Sequence, residues 1–150
     1  MEKESKLRLI KHITFLESEL QDFAGFRSLS WEAYSKERSR RRDVERWIEN
    51  IINSSIDISK VILVAENVSL PDTYKELVAT VSLVSGFDKE RMKSLSELVR
   101  FRNIIAHEYL DIRWASIRKF IQESEPLYRN FVKDVKDHLE KQLQSETART

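Results

Sequence analysis

Only two glycines and two prolines occur among the chain's 150 residues, against usual loads of about 7% and 5%. That scarcity constrains the fold more than any other feature. A fold of many short strands needs a turn every 8–12 residues or so, and turns draw on glycine and proline for backbone angles that other residues resist. This chain cannot supply them. Its leucine, isoleucine, glutamate, lysine and arginine suit long helices instead. The expectation is an all-α antiparallel helical bundle of four to six helices, with residues 1–150 forming one domain. Hydrophobic residues make up 41% of the chain, enough to build a core without disulfides or a structural metal.

Apolar residues recur at helical spacing along most of the chain. Leu9, Ile13, Leu16, Leu20 and Phe23 form one stripe, which predicts a first helix from about Glu2 to Phe23, ended by Gly25. Val44, Ile48, Ile51, Ser55, Ile58, Ile62 and Ala65 predict a second from Arg38 to Asn67, with Trp47, Ile52, Ile56 and Leu63 adding apolar surface off the stripe. This is expected to be the most buried helix. Ser69-Leu70-Pro71-Asp72 breaks it, and Thr73 with Glu76 reads as a capping box for a third helix that stops at Gly86. Asp88 is expected to cap a fourth helix carrying Met92, Leu95, Val99, Ala106 and Tyr109 in phase, and Asp111 a fifth through Ile117, Phe120 and Ile121. At Pro126 that helix either kinks or gives way to a new one bearing Phe131, Val135 and Leu139; residues 145–150 are expected to fray.

Charge and residue inventory narrow the function classes. The chain has 26 Lys+Arg and 25 Asp+Glu, a formal net charge of +1. This excludes a uniformly basic nucleic-acid coat and an acidic tail, and leaves room for a local basic patch. The absence of cysteine removes thiol catalysis, iron–sulfur clusters and cysteine-based zinc sites. Two isolated glycines make no phosphate-cradling loop, and there is no Gly-x-Ser-x-Gly elbow. His12, His107 and His138 are far apart in sequence; His12 and His138 are expected on the surface. No cofactor and no metal are expected. The N-terminus is charged without an apolar run behind it. The longest stretch free of charged residues, Leu77–Phe87, falls far below the roughly 18 residues a bilayer span needs. A cytoplasmic protein with no membrane contact is the expectation.

One stretch combines groups with chemical capacity: Arg102-Asn103-Ile104-Ile105-Ala106-His107-Glu108-Tyr109. On an ideal helix Arg102 and Tyr109 lie about 20° apart, whereas Arg102 and His107 differ by about 140°. Arg102 and His107 meet at one point if the helix ends near His107, or if a second copy of the chain completes the site. An imidazole of near-neutral pKa can take the proton of an RNA 2′-hydroxyl. An arginine fork can hold the phosphate and its extra transition-state charge, and asparagine can steady the imidazole or a phosphate oxygen. The plainer reading is a salt-bridged arginine and a histidine that suits the negative end of a helix dipole.

This stretch resembles the signature of the HEPN superfamily, and most closely that of the HepT toxins of MNT–HepT toxin–antitoxin systems: Arg, four residues, His, one residue, Tyr, here Arg102 to Tyr109. The Leu-Asp-Ile that follows is also similar, as is the Arg-led, isoleucine-rich segment 42–62. The resemblance spans roughly residues 42–139, leaving 1–40 outside it. It implies a homodimeric helical bundle whose motif-bearing helices meet at the dimer interface and form a composite, metal-independent endoribonuclease site acting on RNA. Arg102 and His107 would be catalytic and Asn103 the supporting polar residue. Tyr109 would be the hydroxyl that an MNT-type nucleotidyltransferase antitoxin adenylylates from ATP to silence the toxin. The alternative is a non-catalytic HEPN binding module that serves as partner or substrate-binding subunit of a nucleotidyltransferase.

Two further features carry open readings. Lys36–Arg46 holds six basic and three acidic residues; Arg40, Arg41, Arg42 and Arg46 either contact RNA or a partner, or form a solvated helix start with internal ion pairs. Trp31, Trp47 and Trp114 either stack bases or anchor the core and interfaces.

Overall fold

The computed structural model describes residues 1–149, and these form helices joined by short connections with no β-strand. Helix α1 spans Lys3–Leu20, α2 Phe23–Phe26, α3 Trp31–Lys36, α4 Arg38–Ala65, α5 Tyr74–Thr80, α6 Lys89–Glu97, α7 Phe101–His107, α8 Leu110–Glu123 and α9 Glu125–Arg149. Tight 3-10 turns, Val81–Leu83 and Leu98–Arg100, follow α5 and α6. Four long helices and five short ones thus stand where four to six were expected among the described residues.

Helix α4 is the axis. Its ladder from Val44 through Ile62 is buried, and so are Trp47, Ile52, Ile56 and Leu63 off the ladder. It packs against α1, α3, α5 and α7. Each fully buried Ile or Leu withdraws apolar surface worth about 1.5–3 kcal/mol, so α4 supplies much of the folding drive. It ends in a Schellman motif. Asn67 takes the left-handed region at φ 57°, Val68 N–H donates to the Leu63 carbonyl (2.9 Å) and Asn67 N–H to that of Val64 (3.2 Å).

Helix α1 runs antiparallel to α9 and α4. Lys6 pairs with Glu146, Glu17 with Lys136 (2.6 Å), and the Leu20 carbonyl accepts from Arg129 (3.4 Å). At the other face Trp47 Nε1 donates to the Glu19 carbonyl (2.7 Å). The α1 stripe of Leu9, Ile13, Leu16 and Leu20 is buried between them.

Several boundaries depart from the expectations. Helix α1 stops at Leu20, and the turn at Gln21–Asp22 redirects the chain so that Phe23 enters the core from α2. Gly25 lies inside that short helix rather than ending the first. The Thr73 hydroxyl does accept from Glu76 N–H (3.1 Å), and Asp88 from Arg91 N–H (2.9 Å). Gly86 sits at φ 97°, a conformation that glycine adopts without strain. Pro126 does not kink a helix; α8 ends at Glu123 and α9 begins anew at Glu125, with Pro126 in its first turn, where its missing N–H breaks no bond. Helix α9 continues to Arg149, so residues 145–149 are helical; Thr150 lies outside the described residues.

His138 is a correction. It is buried rather than on the surface, packed 5.6 Å from the Phe87 ring, with Nε2 3.5 Å from Glu66. Burial holds its pKa below the ordinary histidine value, partly opposed by Glu66. His12 is half-buried. Trp47 is a core anchor, edge-on to Phe23 and Phe120, whereas Trp31 is 44% exposed and borders Trp114 and the buried Tyr34.

Candidate active site

The motif occupies a short helix and the bend that follows it. The expected fourth helix is broken. After α6 the chain tightens into the 3-10 turn Leu98–Arg100, which at about 120° per residue advances the phase by some 60° relative to an α-helix. Helix α7 then places Phe101 and Ile105 in the core. It ends at His107, because Glu108 (ψ 160°) and Tyr109 (ψ 161°) are extended. Helix α8 starts at Leu110 with Tyr109 at the cap position, and Asp111 lies in its first turn rather than capping it. Tyr109 therefore leaves the helix that carries Arg102. The shared face computed for those two residues on one continuous helix does not exist.

Within α7, Arg102 and His107 remain separated by about 140° around the axis and some 7.5 Å along it. Arg102 is half-buried, its guanidinium 4.9 Å from the centroid of the Tyr74 ring on α5. Lys60 on α4 places its ammonium 5.1 Å from the same centroid. These side chains line an open cavity of about 280 Å³ with Asn53, Ile56 and Asp57. Asn103, His107, Glu108 and Tyr109 are exposed instead, Tyr109 by 82%. None of the four side chains has a hydrogen bond or ion pair among the described residues. Ala106 and Ile112 extend this surface with exposed apolar area. The chain thus presents Arg102 in a lined recess and His107 with Tyr109 on an open face without partners among the described residues.

A half-buried polar network holds the bend. Arg113 Nη1 on α8 lies 3.4 Å from Glu45 Oε1 on α4 and 3.4 Å from the Ile105 carbonyl on α7. The other oxygen of Glu45 accepts from the Tyr34 hydroxyl at 2.6 Å. Burial, with the Glu45 hydrogen bond adding to it, pushes the Tyr34 pKa well above the usual phenol value, so the hydroxyl stays a donor. Nothing about Arg113 in the sequence marks it out, since its partners come from two other helices, α4 and α7. Lys60 carried a faint signal: it and Asp57 are the only charged residues within 54–63 of α4.

The basic segment divides. Arg41 donates to the Tyr34 and Ser35 carbonyls at 3.0 and 2.9 Å, closing the end of α3, which commits it to structure. Arg40 pairs with Glu37 at 3.6 Å. Arg42 and Arg46 line surface clefts whose walls include Asp22, Asp43, Glu45 and Glu49, so this segment carries its own counter-charges. Among the described residues no three His, Asp or Glu side chains gather closely enough to hold a metal ion, and no helix is long and apolar enough to cross a membrane.

Comparison with known proteins bears on this arrangement. Two solved structures are similar in fold. One is a mutant of the toxin–antitoxin pair MntA–HpeT (TM-score 0.75, 14% identity, 86% of this chain and 97% of that one). The other is the tri-AMPylated Shewanella oneidensis HEPN toxin in complex with MNT antitoxin (TM-score 0.74, 14% identity, 91% and 99%). A toxin–antitoxin structure with AMP-PNP is likewise similar (TM-score 0.72, 15% identity, 86% and 97%). No curated protein sequence matches the chain. The sequence model of the family described as Ribonuclease HepT-like matches residues 9–135, from within α1 into the first half of α9, and the chain belongs to that family.

Proposed function

We propose that this chain is the toxin of an MNT–HepT-type pair, a metal-independent endoribonuclease whose site is completed by a second copy. The observation that carries the reading is the split of the motif. Arg102 faces a recess while His107, on the same seven-residue helix, is exposed with no partner among the described residues. A two-fold axis beside α7 would set Arg102 of one protomer against the partner's His107 and repeat the pairing on the other side. Exposed Ala106, Tyr109 and Ile112 supply apolar area for such an interface.

The chemistry follows from the groups. The His107 imidazole takes the proton of an RNA 2′-hydroxyl. The 2′-oxygen attacks the adjacent phosphorus, the bond to the 5′-oxygen breaks, and that oxygen takes a proton from water. The products are a 2′,3′-cyclic phosphate and a 5′-hydroxyl. Arg102 binds the phosphate and its added transition-state charge through two N–H donors, and Asn103 supports the imidazole or a phosphate oxygen. Tyr109, extended, 82% exposed and without a partner among the described residues, suits entry into a second enzyme's active site. Adenylylation there by a nucleotidyltransferase antitoxin would add bulk and negative charge beside His107, against RNA. The relatives' presence in complexes with MNT antitoxin or with AMP-PNP supports the same assignment.

The test is cleavage of a mixed RNA pool by purified protein in EDTA, beside folded Arg102→Ala and His107→Ala proteins. Cleavage by the parent alone, leaving cyclic-phosphate ends, is the expected result. No cleavage by an unmodified parent, checked by mass spectrometry at Tyr109, would instead make the chain a non-catalytic partner of a nucleotidyltransferase.

A further inference from the structure

Lys60 belongs to no motif, yet it and Arg102 converge on one aromatic ring. The ammonium is 5.1 Å and the guanidinium 4.9 Å from the Tyr74 centroid. Two cations that share one ring could instead share a carboxylate. Here neither has a carboxylate oxygen within 4.0 Å among the described residues; Asp57, the only acidic group lining the cavity, pairs with neither. The ring's electron-rich face holds both cations in its place. A cation–π clamp differs from a salt bridge in one useful respect: it leaves the N–H donors unspent. Lys60 keeps three donors and Arg102 keeps its fork. Both open into a cavity of about 280 Å³.

We propose that Lys60 binds the RNA phosphate next to the one that Arg102 holds, and that Tyr74 is a positioning residue that fixes both cations for consecutive phosphates. This rests on the ribonuclease reading above and assigns that site a second backbone contact on a different helix. Consecutive phosphates of a single strand present two like charges at short spacing, the arrangement that two unpaired, jointly held cations complement. Lys60 is therefore a binding residue felt by substrate and transition state alike. Arg102 acts on the reacting phosphate itself.

The experiment uses the full chain and a single-stranded RNA oligonucleotide, with 2′-O-methyl groups for binding and unmodified for cleavage. Lys60→Met is expected to weaken binding about tenfold and to lower the slope of log affinity against log salt by about 0.7, one phosphate contact on a single strand. In cleavage it raises KM with kcat kept, whereas Arg102→Ala lowers kcat. Lys60→Arg restores the salt slope. Tyr74→Leu lowers kcat because Arg102 loses its seat, and Tyr74→Phe, which keeps the ring face, restores it. A parent that binds and cleaves RNA beside a Lys60→Met protein of unchanged affinity and salt slope would overturn this proposal and leave the ribonuclease reading standing. A parent that neither binds nor cleaves RNA would overturn both.

Discussion

Arg113 of α8 reaches Glu45 of α4, Nη1 to Oε1 at 3.4 Å, and the same nitrogen lies 3.4 Å from the carbonyl of Ile105, two residues before His107. One guanidinium thus ties the end of the motif helix to the axis of the fold. Both partners are mostly shielded, with 23% and 15% of their side chains exposed, and Arg113 Nε is buried without a partner. Removing the cation would leave Glu45 held only by the Tyr34 hydroxyl. Arg113→Met is expected to lower stability by about 1–3 kcal/mol, between the worth of an exposed pair and that of a fully buried one. Thermal melting measures it. Cleavage at a temperature where the variant is fully folded should still fall, because the bend after His107 loses its tie. Full activity in the folded variant would confine Arg113 to stability.

A pH dependence follows from His138. Burial lowers its pKa below the ordinary value, while Glu66 opposes the shift and Lys141 and the N-terminal amine add to it. The unfolded chain therefore takes up the proton first as pH falls. The stabilisation is complete above the unfolded value of about 6.5 and is lost as pH drops through the lower folded one. The urea midpoint should decline from pH 7.5 to pH 5, and His138→Leu should flatten that decline. An equal decline in parent and variant would show that other groups carry it.

The long stripes are legible in the sequence because burial follows helical periodicity wherever a helix is long. Leu9, Ile13, Leu16 and Leu20, or Val44 through Ile62, face the core as their spacing requires. Local rules fail where tertiary packing decides. Asp111 is a good capping residue, yet Glu108 and Tyr109 become extended first and move the cap two residues upstream. His138 was expected on the surface by residue type alone; its spacing from Phe131 and Val135 puts it on the buried stripe of α9, where Phe87 of the α5–α6 connection packs over it. The motif was readable as a string of residue types. Its placement was not, since Lys60, Tyr74 and Arg102 come together from three helices across 43 positions.

Tyr109→Phe separates modification from catalysis. The phenol has no partner among the described residues and is 82% exposed, so deleting its oxygen should change stability only within the small range typical of surface changes, about ±0.5 kcal/mol. The variant is expected to cleave RNA as the parent does, and to stay active and unmodified when produced with a nucleotidyltransferase antitoxin and ATP. Intact-protein mass spectrometry reads the modification. Silencing of the variant together with the parent would place the control at another residue or in simple binding.

A site shared between two copies, as proposed, would show itself in mixed dimers. If Arg102 of one protomer works with the partner's His107, neither Arg102→Ala nor His107→Ala homodimers have a complete site. A heterodimer of the two has one site lacking both groups and one site with both intact. Random reassortment makes half of the dimers heterodimers, each with one of its two sites restored, so the mixture should recover about a quarter of parental activity. A site built within one protomer predicts no recovery at any ratio, because every chain then lacks one member of its own pair. Unfolding and refolding the two variants together, followed by cleavage of a fluorescent RNA, measures the recovered fraction. Ile112→Asp, which charges the exposed face beside Tyr109, should abolish that recovery by keeping the protomers apart, with size-exclusion light scattering reporting the monomer.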